Sequence, residues 1–93
     1  MKIKDWPEGD RPREKFYQRG SYALTDAELL AIIISKGVKN KSALDLAKEV
    51  LKKCDNLKKL NQKSVSEIEN LNITGLGKIK IISILAALEA GRR

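Results

Sequence analysis

The sequence predicts an all-α fold: a compact bundle of about five helices in which a unit of helix, turn and helix occurs twice. Three observations carry that expectation. Apolar residues recur at helical spacing through most of the 93 residues. Thr25 to Glu28 and Ser64 to Glu67 each have a hydroxyl residue three positions before a glutamate, the signature of a capping box. The apolar run Leu29 to Ile34 contains three consecutive isoleucines but follows a capping box and has no partner strand, so it reads as helix.

The elements follow in order. Residues 1–9 read as an N-terminal arm. Pro7 disfavours helix at Trp6, and Trp6 is expected to pin the arm to the core rather than stack on a base. Asp10 to Glu14 looks like a helix start, with Pro12 tolerated in the first turn and Gly20 as the stop. The helix after Thr25, to about Ser35, is apolar nearly all round and should be the central one. Residues 36–41 form a tight connector. Ser42 caps a helix to about Lys53, whose stripe is Ala43, Leu44, Ala47, Val50, Leu51 and Cys54. A short helical turn brings Leu57 and Leu60 inward. Ser64 opens a short helix through Leu71, and residues 72–77 make a turn. The last helix, from about Lys78 to Ala90, has Ile81, Ile82, Leu85 and Leu88 as its inner stripe, and Gly91 ends it.

Composition bounds function. A chain that is 42% hydrophobic and 33% charged can pack one small core, and no Pro- or Ser-rich linker divides it, so residues 1–93 form one domain. Its two units span 25–53 and 64–91. There is no His, which excludes a His general base and a Ser/His/Asp triad, and no metal site is expected. Cys54, the only cysteine, lies on an apolar face and reads as a core residue in a reducing compartment. No secretory signal or membrane-length apolar run is seen, so the expected setting is cytoplasmic. No catalytic residue, cofactor or small-molecule substrate is expected.

The net charge of +7 is uneven. Residues 1–35 balance, whereas 36–63 carry nine lysines against three acids. Clustered cations favour a polyanion, although a solvated lysine-rich face gives the same count. The sharper signal is Ile73-Thr74-Gly75-Leu76-Gly77-Lys78. Gly75 and Gly77 permit backbone that Cβ-bearing residues avoid, and Ile73 and Leu76 can turn inward. Backbone N–H groups of Gly75, Leu76 and Gly77 would then meet a phosphate at the start of the last helix. Lys78 and Lys80 sit in that first turn, where a cation opposes the helix dipole unless an anion faces it. Lys36, Lys39 and Lys41 in the first turn would add side-chain cations.

Leu71 to Ala87 resembles the helix-hairpin-helix family of DNA-binding motifs, and the first unit resembles a degenerate copy with Gly37 alone. Longer blocks, Ile3 to Pro7, Arg11 to Lys15, Leu24 to Ala31, Lys41 to Ala47 and Ala87 to Arg93, resemble the N-terminal domain of RadC-family proteins. That resemblance covers nearly the whole chain. It implies a DNA-repair label and a zinc-binding JAB/MPN domain following Arg93. The match departs from the hairpin pattern at Thr74, where proline is common, and at Ile81, where alanine lets the helices close. Two readings follow: binding to DNA backbone without sequence readout, which leads, and an interaction domain that positions the JAB/MPN domain.

Overall fold

A computed structural model describes residues 11–93. The expectations for the arm, for Trp6 and for Asp10 as a cap lie outside the described residues. Among the described residues, six α-helices and one 3-10 turn account for the regular structure: α1 (Arg11–Arg19), the 3-10 turn (Ser21–Ala23), α2 (Asp26–Ile34), α3 (Ala43–Cys54), α4 (Leu57–Asn61), α5 (Val65–Glu69) and α6 (Lys78–Arg92). The all-α expectation is met. None of these helices is long and apolar enough to cross a membrane.

Local chemistry sets the helix starts. Thr25 Oγ1 accepts from the Glu28 N–H at 3.2 Å, and the Glu28 carboxylate accepts from the Thr25 N–H at 2.9 Å. Ser64 and Glu67 repeat the exchange at 3.1 and 2.9 Å. A third box, missed when only glutamate or glutamine is sought at the third position, joins Ser42 and Asp45 at 3.0 Å in both directions. Asn56 caps α4 by accepting from the Lys59 N–H at 2.8 Å. Each box satisfies N–H groups that a helix start otherwise leaves open. Glu28 also accepts from Lys15 Nζ at 3.1 Å, which ties α1 to α2.

Packing centres on α2, which touches α1, α3 and α6. The core joins Leu30, Ala31 and Ile34 of α2 to Leu46 and Val50 of α3, Leu60, Ile68, and Ile81 and Ile84 of α6. Ala43 and Ala47 are fully buried, so small side chains lie where α3 meets its neighbours. No polar side chain is buried among the described residues.

Two stripes differ from expectation. On α3 the buried line includes Leu46, while Leu44 and Leu51 only border the core. On α6 the inner residues are Ile81 and Ile84, flanked by Leu85 and Leu88, and Ile82 is 46% exposed. The spacing 81, 84, 85, 88 keeps one helix face, and Ile82 lies about 100° round from Ile81. Nor does Gly91 end α6, which runs through Arg92. The side of α2 away from the core is less covered than an all-round apolar helix implies. Leu29, Ile32 and Ile33 line an apolar groove of about 330 Å³ with Phe16, Leu57 and Leu88.

Two predictions arise here. Replacing Ile84 by Ala should cost about 2–5 kcal/mol in a urea titration, and replacing Ile82 well under half of that; similar costs would contradict the assigned face. The second concerns acid. The N–H bonds from Thr25, Ser42 and Ser64 hold Glu28, Asp45 and Glu67 below their ordinary values of 4.5, 3.8 and 4.5. A depressed carboxylate contributes stability above its unfolded pKa and loses it as pH falls through the folded value. The melting temperature should therefore hold steady above about pH 5 and drop below it. A melting temperature unchanged down to pH 3 would show that the boxes contribute nothing measurable.

Candidate nucleic-acid interface

The two turns stand side by side. In the first, Val38 and Lys41 exchange backbone bonds, Val38 N–H to Lys41 O at 2.8 Å and Lys41 N–H to Val38 O at 3.0 Å. They close a tight loop over Lys39 and Asn40, and Asn40 takes a left-handed φ of 71°. Gly37 is required sterically: a Cβ there would lie 2.0 Å from the Lys41 carbonyl oxygen. In the second turn Gly75 has φ +94°, and an added Cβ would lie 2.7 Å from Val38 Cγ2 and 3.3 Å from Leu46 Cδ2. The missing side chain of Gly75 is thus the space into which the first turn's valine fits.

Lysines stitch the two turns together in opposite directions. Lys80 Nζ donates to the Lys36 carbonyl at 2.6 Å and lies 3.4 Å from that of Gly75. Lys41 Nζ donates to the Thr74 carbonyl at 3.2 Å and to Glu49 Oε1 at 2.8 Å. Glu49 reaches Lys53 Nζ at 3.8 Å, and Lys53 donates to the Leu71 carbonyl at 3.1 Å. Lys41 beside Glu49 holds that carboxyl below its usual range.

These contacts sort the sequence-predicted site residues. Lys80 and Lys41 are engaged inside the domain. Leu76 is buried and its N–H donates to the Ile73 carbonyl at 3.1 Å, so it does not present a free donor; the outward role expected of it is corrected. Gly77 is also reinterpreted. Its φ of −83° suits any residue and nothing lies within 4 Å of an added Cβ, so it answers no backbone requirement. As N-cap of α6 it supplies no side-chain cap, unlike Thr25, Ser42, Asn56 and Ser64. The N–H groups of Gly77, Lys78 and Ile79 therefore have no acceptor among the described residues. Lys36, Lys39 and Lys78 are exposed and their ammonium groups have no partner among the described residues.

A hollow of about 350 Å³ lies under the second turn, bordered by Asn72, Thr74, Gly77 and Lys78. Glu69 shares its rim and opposes an anion there, so the turn and helix N-terminus are a better anion face than the hollow. Ile81 occupies the core without breaking the turn: Ile73 and Leu76 remain buried beside it. Sequence reading missed Val38. The Glu49–Lys53 pair is visible as an i,i+4 spacing, but the bonds linking Lys41 to Thr74 and Lys80 to Lys36 span 33 and 44 residues and have no local signature. No group of metal-ligating side chains exists among the described residues. Cys54 is buried, and desolvation pushes its thiol pKa up, which makes it a poor nucleophile.

Residues 3–82 match the family described as UPF0758 N-terminal. A UPF0758 protein of Flavobacterium johnsoniae is 48% identical over 91 residues, covering 98% of this chain and 39% of its own length. One from Trichlorobacter lovleyi is 49% identical, with 98% and 40% coverage, and one from Bacillus licheniformis is 43% identical, with 100% and 41%. The chain thus spans about two fifths of the length of these relatives. No solved structure matches it.

Alanine at Gly37 should lower the melting temperature severely, because a carbonyl and not a flexible side chain occupies the Cβ position. Alanine at Gly77 should change stability by less than about 1 kcal/mol. Comparable losses in thermal melts of the two variants would contradict this assignment of roles.

Proposed function

We propose that this chain, which belongs to the UPF0758 family and corresponds to its N-terminal domain, binds nucleic-acid backbone through the paired turns. One observation carries the reading: an uncapped helix N-terminus stands beside three exposed lysines without partners, Lys36, Lys39 and Lys78, on two turns locked to each other. Uncommitted N–H groups, the positive end of the α6 dipole and exposed ammonium groups all favour phosphate oxygens. Nothing in the arrangement reaches for base edges, so duplex DNA would be held without sequence readout. The resemblance to RadC-family N-terminal domains and to helix-hairpin-helix turns supports the same assignment. Lys41 and Lys80 serve it by holding the turns in register, and no catalytic step is assigned to this chain.

A second reading is favoured by the outer face of α6. Ile79 is 78% exposed, and Ile82, Ser83, Ala86 and Ala90 follow on exposed positions without a charge. In proteins more than twice this length, such a face suits packing against the remaining chain, which the RadC resemblance would make a JAB/MPN domain. A glutamate at the position corresponding to Ile82 in a full-length relative would disturb that contact and leave the turns untouched.

Titration of the ¹⁵N-labelled domain with a short DNA duplex tests the first reading. Shifts should concentrate at Lys36, Lys39 and Gly77 to Ile79. With about three phosphate contacts, affinity should fall roughly 40-fold between 50 and 200 mM salt. Lys36→Glu combined with Lys78→Glu should abolish the shifts. No shifts at either turn at low salt would sink the reading.

A further inference from the structure

The arginines of this domain are unevenly placed. The turns and α3 carry lysine only, whereas three of the five arginines, Arg11, Arg13 and Arg19, lie on α1. The aromatic residues among the described ones share that place. Phe16, Tyr17 and Tyr22 are on or just beyond α1, and the core of the described residues contains no aromatic ring. Tyr17 is 88% exposed and Tyr22 is 102% exposed, so neither contributes its ring to packing. Burying a ring is ordinarily the reason a small domain keeps one.

The place of this cluster matters. Arg13 donates to Ser35 Oγ at 2.8 Å, and Ser35 is the residue before Lys36. Helix α1 is therefore fastened to the lip of the first turn. Tyr17 stands one helical turn beyond Arg13 on the same face, and Tyr22 follows in the 3-10 turn. A surface that begins at the lysine-bearing turns thus continues into one of planar groups. Lysine acts on phosphate as a point charge, while tyrosine rings and guanidinium planes stack on bases. Bases inside a duplex do not present their faces; only unpaired nucleotides do.

We infer that Tyr17, extended by Tyr22, forms a stacking platform for unpaired nucleotides leaving a duplex held at the paired turns. The inference rests on the backbone-binding reading and narrows its ligand to DNA with a single-stranded extension or branch. The platform selects no sequence, because every base offers a face for stacking.

The test compares a blunt duplex with the same duplex carrying a short oligothymidine tail at either end, using the whole 93-residue chain. One tail polarity should raise affinity about tenfold. Tyr17→Ala should remove most of that gain, Tyr17→Phe should keep it, and all three proteins should bind the blunt duplex alike. Tyr22→Ala should reduce the gain in part. Because both tyrosines are exposed, unchanged melting temperatures are expected for every variant. Equal affinity for blunt and tailed DNA overturns the inference and leaves the duplex reading standing, as does a tail gain that survives Tyr17→Ala. Binding to neither DNA overturns both.

Discussion

The closeness of the two turns is the constraint on which the rest of the domain depends. Val38 enters the space that Gly75 leaves open, and Leu46 closes it from below. Without that approach Lys80 would not reach the Lys36 carbonyl, and Lys41 would not reach Thr74. Each such bond involves a charged donor and a backbone acceptor that the turn itself leaves open, a stronger class than a bond between neutral groups. The helices on either side inherit their placement from it, because α2 and α3 leave one turn while α5 and α6 flank the other.

Net charge is therefore a poor measure of what the domain offers a partner. Of the five lysines and three turn residues that the sequence marks out, two lysines are committed to carbonyls and one N–H is committed within its own turn. What remains is smaller, and it straddles both turns instead of belonging to the second. The lysine excess of residues 36–63 also includes Lys53 and Lys59, which bond Leu71 O and Asp55, so part of that excess neutralises the protein itself. Exposed ion pairs of the Lys59–Asp55 kind contribute little to stability.

What could be read from the sequence was what local physics determines. Capping boxes lie within four residues, and the boxes at Thr25 and Ser64 place their helices correctly. Helical periodicity identified the core face of α3 to within a residue or two, but Leu46 and Ile84 needed knowledge of which neighbour lies opposite. The glycines show the same division. Gly75 was legible as a backbone requirement; that Gly37 is the more tightly confined of the two depends on the Lys41 carbonyl, closed onto it by the Val38 pairing. The first turn thus differs in construction from the second. It is built on a two-residue loop, and one glycine suffices for it.

The absence of rings from the core of the described residues has a consequence for how this molecule would look in a spectrometer. The aromatic side chains among the described residues are Phe16, Tyr17 and Tyr22, and the packed interior there is aliphatic. Their near-ultraviolet absorption and circular dichroism would report on the neighbourhood of α1 and be almost blind to the contacts of α3, α5 and α6. The aliphatic interior would be visible instead through its methyl resonances, with Leu46, Val50, Ile81 and Ile84 as reporters distributed through the centre of the fold.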